Sequence, residues 1–414
     1  MVNGILVLLI FHIIFFTFFK SSEKRQLSLP FMILWSAKSF WVLLVLHECF
    51  GNEYFYDVST YIGDGIILAK NTSFLEIVNL LINPTITIGD SRGGIVTTIF
   101  SAFIFSIFKS SQSIEIIFAG ISLLGYYYLL SMINLRYKKN IYFLIFFPTS
   151  FFFLSLVCKD LIIFVSFCGY LYHSFKLFQT PLWDKRKIVH LSFVIFWCLV
   201  ANFIRFWCVS IFILSSLIYL WVRCFLSQSR SLRIFSIIQI IFAFIVLFIS
   251  MDAIDLLIKK NSIEVALISN GGSANEPFVF DNFISYLSAF PFVSPYTFFS
   301  PFLHHLRIST GIMYEISICL NVVLLLLTLY VLFLVIVNKY MIKIKSKFTN
   351  VQLYLSSAIV SYLFVYYPVF YVNFGAGTRF KAVITPIVLI LLFSILETNL
   401  EKLRTHAYSN KKTY

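Results

Sequence analysis

Ionisable residues collect at the ends of long apolar runs: Asp57, Asp64, Asp90, Arg92, Lys159, Asp160, Arg205, Arg307, Arg379 and Lys381, with Glu315 just inside one run. A charge at the centre of a membrane-spanning helix costs about 2.5 kcal/mol or more. Groups placed like these therefore sit at an interface or line a wet cavity. They come from several separate segments, and brought together they make a polar cleft with cations in excess at its rim. Such a rim suits a bound diphosphate, because a guanidinium offers phosphate oxygens a two-pronged fork that an ammonium lacks. Arg92, Lys159, Asp160, Arg205, Arg307, Glu315 and Arg379 are the candidate substrate-binding residues. A carboxylate beside the cleft can act as a general base, taking a proton from an acceptor hydroxyl as a phosphate leaves.

Each residue also has a plainer reading. Lys159–Asp160 reads equally as a solvated turn or a local ion pair, and Arg205 as an arginine snorkelling to lipid phosphates. Asp57 and Asp64 read as surface acids of a loop. His304–His305 has no third ligand at metal spacing and reads as an interfacial pair. Glu315 fits the plain reading least, since its neighbours are apolar on both sides. The joint pattern, rather than any one residue, carries the functional reading.

The elements that must position these groups are membrane spans. Apolar runs at about 1–19, 31–49, 113–134, 141–158, 161–178, 188–204, 206–222, 235–254, 309–338, 351–371 and 379–397 mostly have the roughly 17–25 residues a crossing needs. Loops Lys20–Arg25, Arg136–Lys139, Lys176–Lys187, Arg223–Arg233, Lys339–Lys347 and the tail Lys402–Lys412 hold 21 of the 32 Lys and Arg. Of the 18 acids, 14 lie in or beside the opposite loops. This is positive-inside alternation. It predicts an all-α, polytopic bundle of about eleven spans in one integral-membrane domain, 1–414, with the N-terminus out and the C-terminus in. Segment 93–109 is predicted to lie along the interface or re-enter, because a crossing there would put Arg136, Lys138 and Lys139 outside. Two large outer loops follow, 50–112 and 255–308, and both are expected to carry short juxtamembrane helices.

Composition closes off other classes. With 60% hydrophobic and 12% charged residues and a mean hydropathy of +0.91, the chain is a membrane protein rather than a soluble one with an anchor. The net charge of +14 is loop charge facing anionic headgroups, so the bilayer is a partner and nucleic acid is not. The seven cysteines lack CxxC spacing and most lie in apolar runs, which argues against a disulfide framework or a zinc site. No metal site and no cofactor is assigned, and a divalent cation at a diphosphate leaving group stays open. The first 19 residues lack a basic start and a small-residue cleavage site, so they are expected to be a retained helix.

The order of segments resembles the GT-C superfamily of integral-membrane glycosyltransferases, which draw sugars from polyprenyl-phosphate or polyprenyl-diphosphate carriers. The resemblance rests on Asp57-Val-Ser-Thr-Tyr61 and Gly63-Asp64-Gly65-Ile-Ile-Leu-Ala69 followed by SRGGIVTTIFSAFIFSIFKSS, on FFPTSFFFLSLVCKDLIIF, and on NFGAGTRFKAVITPIVLILL. The PFLHHLR stretch adds a looser match to a Pro-Phe segment. Matches cover about half the chain in order, and each is short. The resemblance places a catalytic acid in the first outer loop, at Asp57 or Asp64, with Asp57 preferred for its spacing to Tyr61. The loop lacks an adjacent acidic pair, and the large soluble C-terminal domain of some members is absent.

Within that group the chain looks most similar to bacterial O-antigen or capsular repeat-unit polymerases of the inner membrane. The resemblance implies a polyprenyl-linked oligosaccharide as substrate, joined to a second unit at the periplasmic face, and a chain-length regulator protein as a partner. A transferase adding one sugar from a polyprenyl-phosphate donor, and a lipid-linked oligosaccharide flippase, are the alternatives. No internal repeat of the kind common in transporters is evident, and charge gathers at the outer edge rather than in mid-span.

Overall fold

A computed structural model describes residues 25–44, 56–82, 92–133, 154–181, 184–205, 207–227, 280–300, 312–340, 349–372 and 374–411, with scattered residues between them. Among the described residues the protein is all-α, with twelve helices and no strand. Long runs rich in Leu, Ile and Phe favour this, since a helix satisfies every backbone group internally where no water is at hand. Among the described residues, six stretches are long and apolar enough to cross a membrane: Ser111–Met132, Lys159–Gln179, Arg186–Ile204, Trp207–Phe225, Ile318–Asn338 and Phe380–Leu403. The chain divides into two compact units, Met1–Ser210 and Ile211–Tyr414.

The first unit contains α1 (Arg25–Leu44), α2 (Tyr56–Asn71), α3 (Phe74–Ile82), α4 (Arg92–Phe108), α5 (Ser111–Met132), α6 (Lys159–Gln179) and α7 (Arg186–Ile204). Helices α6 and α7 form an antiparallel hairpin, with Asp160 beside Arg205 at one end and His173 beside His190 towards the other. The His173 and His190 Nδ1 atoms are 3.1 Å apart, so one of these nitrogens donates and the other accepts. Helix α5 runs in the same direction as α6, because the Tyr126 ring packs against Phe164 and the Tyr128 ring against Tyr172 and His173. The starts of α5 and α6 therefore lie at the same end of the unit.

The first outer loop expected from the sequence holds α2, α3 and α4. Asp57 and Asp64, expected in a loop, lie in α2. Segment 93–109 is helical as α4, 17 residues long, and falls short of the six spanning stretches. The capping box Ser73–Glu76 starts α3: Ser73 N–H donates to the Glu76 carboxylate at 2.8 Å, and Glu76 N–H to Ser73 Oγ at 3.3 Å. The run expected as a span over 141–158 ends differently from a helix. Residues 154–158 form turns and bends, all buried. Lys159–Asp160, expected as a tight turn, is the first turn of α6.

The second unit holds most of α8 (Trp207–Phe225), then α9 (Phe283–Phe299), α10 (Ile312–Tyr340), α11 (Asn350–Val372) and α12 (Phe374–Lys411). Helices α10 and α12 run in the same direction: Asn321 and Lys381 both donate to the Ser300 carbonyl, and Asn338 meets Asn399 at 3.0 Å. Helix α11 runs antiparallel to α12, with Tyr362 donating to the Phe380 carbonyl at 2.9 Å and Gln352 to Ser394 at 3.1 Å. Helix α9, in the segment expected as the second outer loop, carries an Asn282–Ser285 capping box. It packs on α11 through Tyr286, Phe290, Phe364 and Tyr367.

Candidate functional site

The site is built at one end of the first unit from three chain breaks. Helix α6 begins at Lys159 after Cys158, whose extended backbone is the N-cap and whose side chain makes no capping bond. Helix α7 ends at Ile204, and Arg205 is its C-cap, its N–H donating to the Ala201 carbonyl at 2.8 Å. Because the two helices are antiparallel, these termini meet. The Arg205 guanidinium lies 3.1 Å from Asp160 Oδ1, with 9% and 4% of the two side chains exposed. The contact is off the hydrogen-bond direction, since Oδ1 has no aligned donor among the described residues. Arg205 also lies over the Trp207 ring, 6.0 Å from its centre.

The start of α4 closes on the same place. A Cβ at Gly93 would fall 2.8 Å from the Ile204 carbonyl oxygen and 3.2 Å from Lys159 Cδ. Only glycine allows this approach. It brings the first turn of α4, the Lys159–Asp160 turn and Arg205 to one location, so the N-terminal ends of two helices, Lys159 and Arg205 share a small region. Helix N-termini present backbone N–H groups and partial positive charge, which adds to the side-chain cations.

Helix α2 sets where the candidate acids lie. A Cβ at Gly65 would fall 2.7 Å from Ser101 Cβ and 3.0 Å from the Thr98 carbonyl oxygen, so α2 presses on the middle of α4. Beyond the end of α2, Phe74 stacks on Phe103 at 5.6 Å. These two contacts make α2 advance along α4 in the same direction. Its first turn, which carries Asp57, is about 12 Å back along the helix from Gly65, at the end of α4 that begins with Arg92. Asp64 is exposed and lies about two turns further on, roughly 10 Å from the Asp57 level along the axis.

The remaining candidates belong to the second unit or lie outside the described residues. Glu315 is exposed in the first turn of α10. Arg379, expected at the end of an apolar run, lies within α12. Arg307 and His304–His305 fall outside the described residues. Among the described residues no group of three His, Cys, Asp or Glu is placed to hold a metal ion.

Lys38 and Glu115 are buried charged groups that were not among the sequence-derived candidates. Lys38 of α1 is fully buried, donating to Ser122 Oγ at 2.7 Å and to the Leu154 carbonyl at 3.2 Å. Glu115, near the start of α5, is buried with Oε2 lacking a hydrogen-bond partner among the described residues. A single charge inside an apolar run is the signal that finds both. No protein-family model, no curated protein and no solved structure matches the chain.

Proposed function

We propose that the protein is an integral-membrane glycosyltransferase of the bacterial inner membrane that joins oligosaccharide repeat units carried on a polyprenyl diphosphate, as an O-antigen or capsule polymerase does. The observation that carries this reading is the meeting of Lys159, Asp160 and Arg205 with the glycine-bared start of α4. Two helix N-termini and several cations in one place fit a diphosphate that gains charge as it leaves.

In this reading the acceptor hydroxyl oxygen attacks the anomeric carbon of the donor sugar. The bond from that carbon to the diphosphate oxygen breaks, and its electron pair leaves with the diphosphate. The hydroxyl proton passes to a carboxylate, Asp57 being favoured over Asp64 because its turn lies at the cationic end of α4. Lys159, Arg205 and Arg92 answer the leaving charge. Asp160 holds Arg205 in place rather than touching phosphate, since a carboxylate and a phosphate repel. Arg307, Arg379 and Glu315 stay proposed substrate contacts on the basis of sequence alone. The topology that goes with this has about eleven spans, the N-terminus outside and the site facing the periplasm, with a chain-length regulator as partner.

The test is chemical analysis of surface polysaccharide after deletion of the gene. Single repeat units in place of polymer support the proposal. A missing side-chain sugar points to a single-sugar transferase and a cytoplasmic build-up of lipid-linked units to a flippase, and either overturns it.

A further inference from the structure

Lys38 sits in mid-helix in α1, wholly buried, where a charge is expensive and usually has a purpose. Its surroundings are neutral: Ser122 Oγ, the Leu154 carbonyl, the Tyr126 ring at 5.3 Å and the Phe151 ring at 5.9 Å, with Cys158 in electrostatic reach. Among the described residues no carboxylate lies within ion-pair distance of it. The acceptor at Leu154 explains the arrangement. Phe151 and Leu154 N–H groups donate to the Phe147 and Ser150 carbonyls, a last helical turn. The chain then leaves helical geometry over 154–158 and re-enters it at Lys159. A helix end leaves carbonyls with no partner of their own, and a buried backbone carbonyl needs a donor from the protein. A cation there also meets the negative end of the helix dipole.

We infer that Lys38 is a positioning residue for the diphosphate site: by holding the Leu154 carbonyl it fixes the break at 154–158, and so the direction in which Lys159 and Asp160 leave it. No residue of α1 was placed at the site itself. Lys38 acts from the opposite side of the break, through five residues of buried backbone and the Cys158 N-cap. This deepens the proposed function and rests on it for the identity of the ligand, while its structural half stands alone.

The experiment uses the full chain in nanodiscs, with Lys38→Met, which keeps the stem and removes the donors, and Lys38→Arg, which keeps donors and charge. Two quantities are read: hydrogen exchange of amides 154–160 against those of α7, and binding of undecaprenyl diphosphate. In Lys38→Met, exchange at 154–160 is expected to rise by about tenfold or more, the size of a lost hydrogen bond to a charged group, with α7 unchanged. Binding weakens by a similar factor, and Lys38→Arg restores most of both. Unchanged exchange at 154–160, or exchange raised equally in α7, overturns the inference. So does faster exchange with undiminished binding. If Lys38→Met fails to fold, Lys38→Gln, which keeps one shorter donor, is judged by the same criteria. Wild-type protein that binds no undecaprenyl diphosphate would sink the proposed function, while the exchange measurement would still decide the role of Lys38 at the break.

Discussion

Removing the Asp160 carboxylate should take a counter-charge from a buried cation. The Arg205 guanidinium is 3.1 Å from Asp160, with 4% of the acid and 9% of the arginine side chain exposed. Two unit charges at that distance attract by about 5 kcal/mol at an effective dielectric of about 20, much of which is offset by desolvation. When one partner of a buried pair is lost, the other is left uncompensated, at a cost of about 3–5 kcal/mol. Asp160→Leu and Arg205→Met should each lower the unfolding free energy by about that much, measured by detergent-titrated unfolding in mixed micelles. The double variant should recover most of the loss, because apolar groups in place of a buried pair are often neutral or better. The coupling energy of the cycle should thus reach at least about 2 kcal/mol. Recovery of stability should not bring back ligand affinity: if Arg205 meets the diphosphate, the stable double variant still binds undecaprenyl diphosphate poorly. A coupling below about 1 kcal/mol, the range of exposed pairs, would refute the buried-pair argument. Wild-type binding by the double variant would remove Arg205 from the phosphate site.

Asp57→Asn should abolish polymer while leaving the protein inserted, since losing a general base costs about 10²–10⁴-fold in rate, and Asp64→Asn should do less; analysis of polymer chain length in cells carrying each variant decides, and the reverse ranking would move the base to Asp64. Cysteines placed at Ser59, Asn275 and Ala376 should label from the periplasm and those at Asn140, Gln228 and Ser346 only after permeabilisation; an outside Asn140 would break the charge alternation and the non-crossing reading of 93–109. The Glu76 carboxyl is held below the ordinary glutamate range by the Ser73 backbone N–H and hydroxyl. A carboxyl lowered by folding stabilises above its unfolded pKa, and that contribution is lost as pH falls through the folded value. Protection of the amides at the start of α3, taken relative to their unfolded exchange rate at each pH, should therefore fall on acidification below the ordinary glutamate range and be much less pH-sensitive in Glu76→Gln.

The sequence by itself determined the class of the protein and the addresses of its charges. Apolar runs of span length and basic loops are local signals, legible because burial in lipid depends on each segment's own hydropathy. The helical content, the helices within 56–108 and 283–299 and the positions of Lys159, Asp160 and Arg205 at the ends of apolar helices follow from them. Only the tertiary structure decided which charges meet. Asp160 and Arg205 come together because α6 and α7 are antiparallel, and the Arg92 turn joins them because Gly93 lets α4 touch Ile204. Asp57 and Asp64 are alike in sequence terms, and what separates them is the direction in which α2 lies on α4, set by Gly65 and Phe74. Lys38 reads in sequence as one charge in an apolar run, and its purpose appears only where the Leu154 carbonyl needs a donor. Hydropathy acts segment by segment, whereas a site is a property of packing between segments, and small residues at the points of closest approach fix that packing.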